Sequence, residues 1–523
     1  MPQVKIHNPI LPGFNPDPNI LRVDKDYYIA VSSFEWMPGI RVYHSQDLVN
    51  WEFATDILTT QVDLRGNPQN ASIWAPQISY AQGIYYCIYT DVKNAHGPFK
   101  DCHNYLTTAP AITGPWSEPI YLNSSGFDPS LFHDVDGKMW VLNEIWDYRY
   151  STSNKSAGIV MQEFDLAHKK LIGKVHKIFN GTELAKTEAP QLYRHNGYYF
   201  LLTAEGGTGK GHAVTVCRSK NITGPYGLAP NSPILTARDK PESELQCTGH
   251  ASIVEGVAGH WYMVYLTSRL LESEYHLLGR ETAIQEVQWT DNDWLATSAV
   301  GNGPELTPII ETTVPIQQIQ HLNFHDQFDR STLKLEWNSL RILPEDSWIQ
   351  IHNGPNFLRI YAGESPATTF EHHLLAIRQN SFYFQAETEI SFDPQTFNQM
   401  AGLLLFLNNE RFLYLYITHD EQQGKVLKLM KSVPDNFELF STTIPLSDET
   451  VKLRIDGRGL QGAAYYQTAV NPNWQLVADQ IDLRFLSAGF TGNFVGIGVH
   501  DMDQKEGCFA DFSEFRYTVS SKK

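Results

Sequence analysis

A chain of 523 residues exceeds what one ordinary core organises, so two domains are expected. Its 42% hydrophobic content, with 25 Tyr, 27 Phe and 12 Trp, describes an aromatic-rich globular protein rather than a disordered one. A formal net charge of -18, with no Lys/Arg-rich run, opposes phosphate backbones and anionic lipid surfaces, so nucleic acid and membrane are excluded as expected partners.

At the N-terminus, MPQVKIHNPILPG lacks the apolar core of a signal peptide, and no apolar run approaches the roughly 18 residues of a membrane span. The five cysteines, Cys87, Cys102, Cys217, Cys247 and Cys508, follow no zinc or disulfide spacing. Together these features predict a cytoplasmic protein. The next stretch, GFNPDPNI, sets Asp17 between two prolines, which hold a carboxylate on stiff backbone.

Asp17 opens the first of five segments that align with one another: PDPNILRVDKDYYIAVS, WAPQISYAQGIYYCIYT, FDPSLFHDVDGKMWVLN, EAPQLYRHNGYYFLLTA and GHASIVEGVAGHWYMVYL. Each has a small or Pro-containing start, a short alternating strand, a turn at Asp-Lys, Gln-Gly, Asp-Gly, Asn-Gly or Ala-Gly, and an aromatic return strand. That is a hairpin signature. Recurrence at roughly 50 to 60 residues suits propeller blades, so a five-bladed β-propeller is predicted over residues 1–305. Innermost strands start near the axis, so their opening positions should converge: Asp17, Trp74-Ala75, Asp128, Glu188 and Gly249-His250. Three carboxyls and an imidazole at one mouth would push acid and base pKa values apart.

Residues 306–322, rich in Pro and Thr without alternation, read as a linker. Beyond them FLRIYAG, FQAETEISF, AGLLLFLNN, FLYLYITHD and VKLRIDGRG are short alternating strands, which predicts a C-terminal β-sandwich of concanavalin or jelly-roll type over 323–523. The fold class is therefore all-β. GGTGKGH imitates a phosphate loop, but Ala204 stands at its required first glycine and Gly211 follows the lysine.

The ordered motifs NPILPGFNPDPNI, SSFEWMPG, WAPQISY, DVKNAHGPFKDCHNYLTT, GFDPSLFHD, TEAPQLY, TAEGGT, GHASIVE, LGRETAIQ, NQMAGLLLF and GFTGNFVGI resemble those of glycoside hydrolase family 43, in particular its two-domain β-xylosidases. The resemblance implies hydrolysis with inversion at the anomeric carbon. By motif position it implies Asp17 as general base, Glu188 as general acid and Asp128 as the carboxylate that orients the acid. It also implies that Phe34, Trp74 and Trp146 wall the sugar pocket, that Arg280 donates to sugar hydroxyls, and that Phe490 closes the pocket from the sandwich. His250 on the axis would contact substrate or anchor a water or a divalent cation such as calcium; no cofactor is required. The expected activity is an exo-β-1,4-xylosidase acting on xylobiose and short xylooligosaccharides, in a homo-oligomer such as a dimer or tetramer. The alternatives are an α-L-arabinofuranosidase or bifunctional enzyme, and a non-catalytic sugar-binding propeller.

Overall fold

The computed structural model describes residues 1–299, 301–352, 354–505 and 507–520. Five sheets, led by strands Asn19–Val23, Ser72–Ala81, Ser130–His133, Glu188–His195 and Leu245–Glu255, form the blades in chain order. Each is an antiparallel meander of four strands; the fourth blade carries a fifth, Leu235–Thr236. Two-residue turns set the hairpin register: Gln82-Gly83 and Asn196-Gly197 have both residues at positive φ, the type I′ geometry that matches strand twist.

In or just before each innermost strand one residue adopts the left-handed region: Asp17 (φ 56), Ala75 (φ 43), Asp128 (φ 53), Ala189 (φ 52) and His250 (φ 49). Such conformations cost about 1–3 kcal/mol each for non-glycine residues. In the second, fourth and fifth blades the ladder slips at this point, between Trp74 and Gln77, Glu188 and Gln191, and Gly249 and Ser252. Two residues further on, polar side chains link the blades. Asn19 accepts from the Ile78 amide at 2.9 Å, Gln77 accepts from the Leu131 amide at 3.1 Å, and Ser252 accepts from the Ile20 amide at 2.9 Å. The repeat therefore has a sharper register than its sequence suggests: Glu188 lies one residue before the left-handed position, equivalent to Trp74 and Phe127.

Among the described residues no strand is shared between the first and last blades to close the ring. Instead the N-terminal segment lies along the fifth blade, where Asn8 exchanges hydrogen bonds with the backbone of Ile284 (3.0 and 2.7 Å) and Leu11 bridges Thr282. The segment expected as a linker is docked onto this closure. Its strand Ile309–Glu311 pairs with Gln3–Lys5, and Gln318 and Gln320 bond the backbone of His7 and Pro9. Pro and Thr suppressed the alternation, but a three-residue edge strand needs little of it.

The sandwich has an eight-stranded and a nine-stranded sheet. Strand Tyr383–Ser391 alternates buried with half-buried residues, whereas Gln399–Asn408 is buried throughout. The reason is a second buried face. Leu403, Leu405 and Leu407 point into the sandwich core, while Leu404 and Phe406 pack with Phe14, Phe34, Trp36 and Trp74 of the propeller. Strand Trp36–Met37 even joins the nine-stranded sheet beside Asn338–Leu340. Trp36 stacks on Phe494 with centroids 3.7 Å apart, and Arg378 donates to the Phe14 carbonyl at 2.7 Å. At this seam glycine is obligatory at 279, where φ is +71 and a Cβ would fall 2.6 Å from the Cα of Gly492.

Candidate active site

Asp17 is 4% exposed and held at both oxygens. Ser32 donates to Oδ2 at 2.6 Å, and the Arg280 guanidinium donates to Oδ1 at 2.7 Å. Arg280 is itself fixed, because its Nε donates to the Phe490 carbonyl at 2.9 Å. Its neighbour Glu281 takes two 2.7 Å bonds from Arg269 and one of 2.8 Å from the Gly13 amide, tying this strand to the Asp17 loop. Burial pushes the Asp17 carboxyl up, but Arg280, His250 and Ser32 outweigh it and hold it below the usual carboxylate range. Asp17 is the ionised group of the site.

Glu188 is shifted the opposite way. Burial, opposed by the Lys100 ammonium and reinforced by the Asp17 charge, lifts it to about 7. The loop before it is anchored on buried Glu205, which accepts from Thr187 Oγ1 at 2.7 Å, from the Thr182 amide at 2.8 Å and from the Thr182 hydroxyl. Asp128 is also raised well above the usual range by burial, Glu188 and Asp17. His250 Nδ1 lies 3.6 Å from Asp17 and 4.0 Å from Asp128; burial lowers its pKa, and the Asp17 charge opposes that shift. One ionised carboxylate and one proton-bearing carboxyl in the same site is the division of labour that acid-base catalysis needs.

These groups border one cavity of about 240 Å³, together with Phe34, Trp74, Trp146, Arg280 and Phe490. All nine residues expected from sequence therefore meet in one place. Phe490 is 42% exposed at the rim, and its amide donates to Asn70 at 2.9 Å. Such aromatic walls complement the C–H faces of a sugar ring, while Arg280 and the carboxyls supply directed hydrogen bonds.

These carboxyls, and the domain that closes over them, match a known family throughout. The chain belongs to glycosyl hydrolase family 43. Residues 6–295 match Glycosyl hydrolases family 43, and residues 325–518 match the Beta xylosidase C-terminal Concanavalin A-like domain. A Beta-xylosidase of Bacillus subtilis (strain 168) is 42% identical, covering 98% of this chain and 99% of that protein. Xylosidase/arabinosidase 43B of Humicola insolens is 42% identical over 96% and 95%. The crystal structure of xylan beta-1,4-xylosidase from Bacillus halodurans C-125 superposes with a TM-score of 0.95 at 44% identity, covering 98% of this chain and 100% of that one.

Sequence reasoning about this family 43 glycoside hydrolase missed three groups. Lys100 borders the cavity with its ammonium 4.2 Å from the Trp146 ring centroid, 4.4 Å from Phe127 and 5.2 Å from Trp74. Phe127 is a second wall. Glu144 is fully buried, with neither carboxyl oxygen partnered among the described residues. Burial and the adjacent Glu188 raise its pKa well above the usual range, so it is a neutral acid behind the site. No repeat position marks Lys100 or Glu144. The only signal was that both fall in or beside motif-dense stretches.

The described residues do not supply the axial cation with a set of protein ligands. Calcium takes 6–8 oxygen ligands, whereas the groups beside the axial His250 are Asp17, with one oxygen already bonded to Arg280, and Asp128 at 4.0 Å. Among the described residues no group of three His, Cys, Asp or Glu could hold a metal. His250 is here a close neighbour of both carboxyls, without a direct hydrogen bond to either among the described residues.

Proposed function

We propose that the chain is an inverting, exo-acting β-1,4-xylosidase that releases xylose from the non-reducing ends of xylobiose and short xylooligosaccharides. The observation that carries this reading is the pair of oppositely shifted carboxyls, Asp17 below and Glu188 above the usual range, in one walled cavity. Asp17 takes a proton from a water molecule as the water oxygen attacks the anomeric carbon. Glu188 gives its proton to the glycosidic oxygen as that bond breaks, and neutral Asp128 orients the acid. Inversion requires the two carboxyls to stand roughly 6.5–9.5 Å apart, leaving room for the water. The exo mode is supported by Phe490 capping a cavity sized for little more than one sugar.

The test is kcat/KM on nitrophenyl β-xyloside against nitrophenyl α-L-arabinofuranoside, with NMR of the first-formed xylose. Preference for xyloside and release of α-xylose are expected; an arabinoside preference or β-xylose would overturn substrate or stereochemistry respectively. The arabinofuranosidase reading is kept because the Humicola relative is named for both activities. A non-catalytic sugar-binding role predicts no effect of Glu188→Gln, whereas the enzyme loses at least about 10²-fold. A cytoplasmic site of action is supported by the five free cysteines, and cell fractionation tests it. Association into a dimer or tetramer belongs to the same proposal, tested by light scattering.

A further inference from the structure

Outside the cavity two large aromatic side chains are exposed side by side. Phe99 is 58% and Tyr148 54% exposed, and their ring centroids are 5.2 Å apart at 44°. Isolated exposed aromatics need no explanation, but a paired platform does. Both are adjacent in sequence to site residues. Phe99 precedes Lys100, and Tyr148 lies two residues after Trp146, whose indole N–H donates to the Pro98 carbonyl at 2.8 Å. The same loop returns to the cavity, where Ser153, Asn154 and Lys155 border it, and Lys155 is tied back to the Tyr150 carbonyl. The platform therefore sits on the same two chain segments that supply Lys100, Trp146 and Lys155 to the cavity wall.

A cavity of about 240 Å³ holds only the sugar being cleaved and part of its neighbour. Further sugars of a bound oligosaccharide must lie outside it, on the leaving-group side. Arg280 and Phe490 close one flank, while the Trp146 and Lys155 flank carries exposed residues such as Ser153. We propose that Phe99 and Tyr148 form a stacking platform for the leaving-group portion of a xylooligosaccharide, beyond the sugar next to the scissile bond. This rests on the xylosidase reading above. Pyranose C–H faces pack on aromatic rings without needing a preformed pocket, so the platform adds affinity for length rather than for the reacting sugar.

The test compares kcat/KM for xylobiose, xylotriose and xylotetraose in the wild type and in the Phe99→Ala/Tyr148→Ala double variant, with nitrophenyl xyloside as the length-independent control. The wild type is expected to gain about three- to tenfold from xylobiose to the longer substrates, and the double variant to lose that gain. Nitrophenyl xyloside and xylobiose turnover should change less than twofold. A wild type indifferent to length, or a double variant that keeps the gain, overturns the platform while leaving the xylosidase intact. A double variant whose mass by light scattering drops also overturns it, since the pair then belongs to an interface between copies. Wild type inert on every xyloside overturns the functional reading itself, a result none of the others resembles.

Discussion

Replacing Arg280 by methionine keeps most of the side-chain volume and removes the charge that holds Asp17 ionised. The lost interaction is a 2.7 Å charge-assisted hydrogen bond between partners that are 6% and 4% exposed. Bonds of this kind contribute about 1.5–3 kcal/mol, which at about 1.36 kcal/mol per pKa unit is an upward shift of about one to two units for Asp17. Asp17 works ionised, so activity is present above its pKa and disappears as the pH falls through it. Raising that pKa moves the acid limb of kcat/KM to higher pH by the same one to two units. Glu188 works protonated, and wild-type activity falls as the pH rises through about 7. Arg280 also lowers Glu188 but without the direct hydrogen bond it gives Asp17, so the alkaline limb moves up by less. The bell shifts to higher pH and narrows. The depressed pKa of Asp17 also contributes stability above the ordinary carboxylate range, lost as the pH falls through the folded value; the variant forfeits that contribution. The measurement is kcat/KM on nitrophenyl xyloside from acid to alkaline pH at constant ionic strength. An acid limb that stays in place would refute the assignment of Asp17 as the base poised by Arg280.

Lys100→Met should raise the alkaline limb above the wild-type value of about 7, because the ammonium is the strongest influence lowering Glu188; the same pH series checks it. Glu144→Gln should melt within a few degrees of wild type, since a neutral acid is exchanged for a neutral amide. Glu144→Ala leaves a cavity and should cost about 2–5 kcal/mol; calorimetry that finds Gln as damaging as Ala would mean Glu144 is an anion. Gly279→Ala forces a Cβ to within 2.6 Å of Gly492 at a positive φ, so both the melting temperature and the docking of Phe490 should suffer. Its signature is a raised KM on xylobiose alongside the lower melting point. Phe490→Ala should raise KM several-fold with a smaller change in kcat, and steady-state kinetics decide.

The repeat of hairpins, the change of texture after residue 305 and the alternating strands of the second half are local patterns, so the all-β architecture was legible in the chain itself. Asp17 and Asp128 were legible for the same reason: each precedes a proline at the same point of a repeat, and both take the left-handed conformation there. The charges those residues carry were not. Asp17 is ionised because Arg280, 263 residues away, reaches it, and Glu188 keeps its proton because burial outweighs Lys100. Lys100, Phe127 and Glu144 escaped notice although they lie in or beside motif stretches, because what sets them apart is the cavity and the burial around them. The full burial of Gln399–Asn408 and the docking of residues 306–322 likewise depend on a second surface that no local pattern encodes. Periodicity is written in neighbouring residues, whereas electrostatic environment is a sum over atoms brought together from distant parts of the chain, so only the folded molecule could assign base, acid and wall.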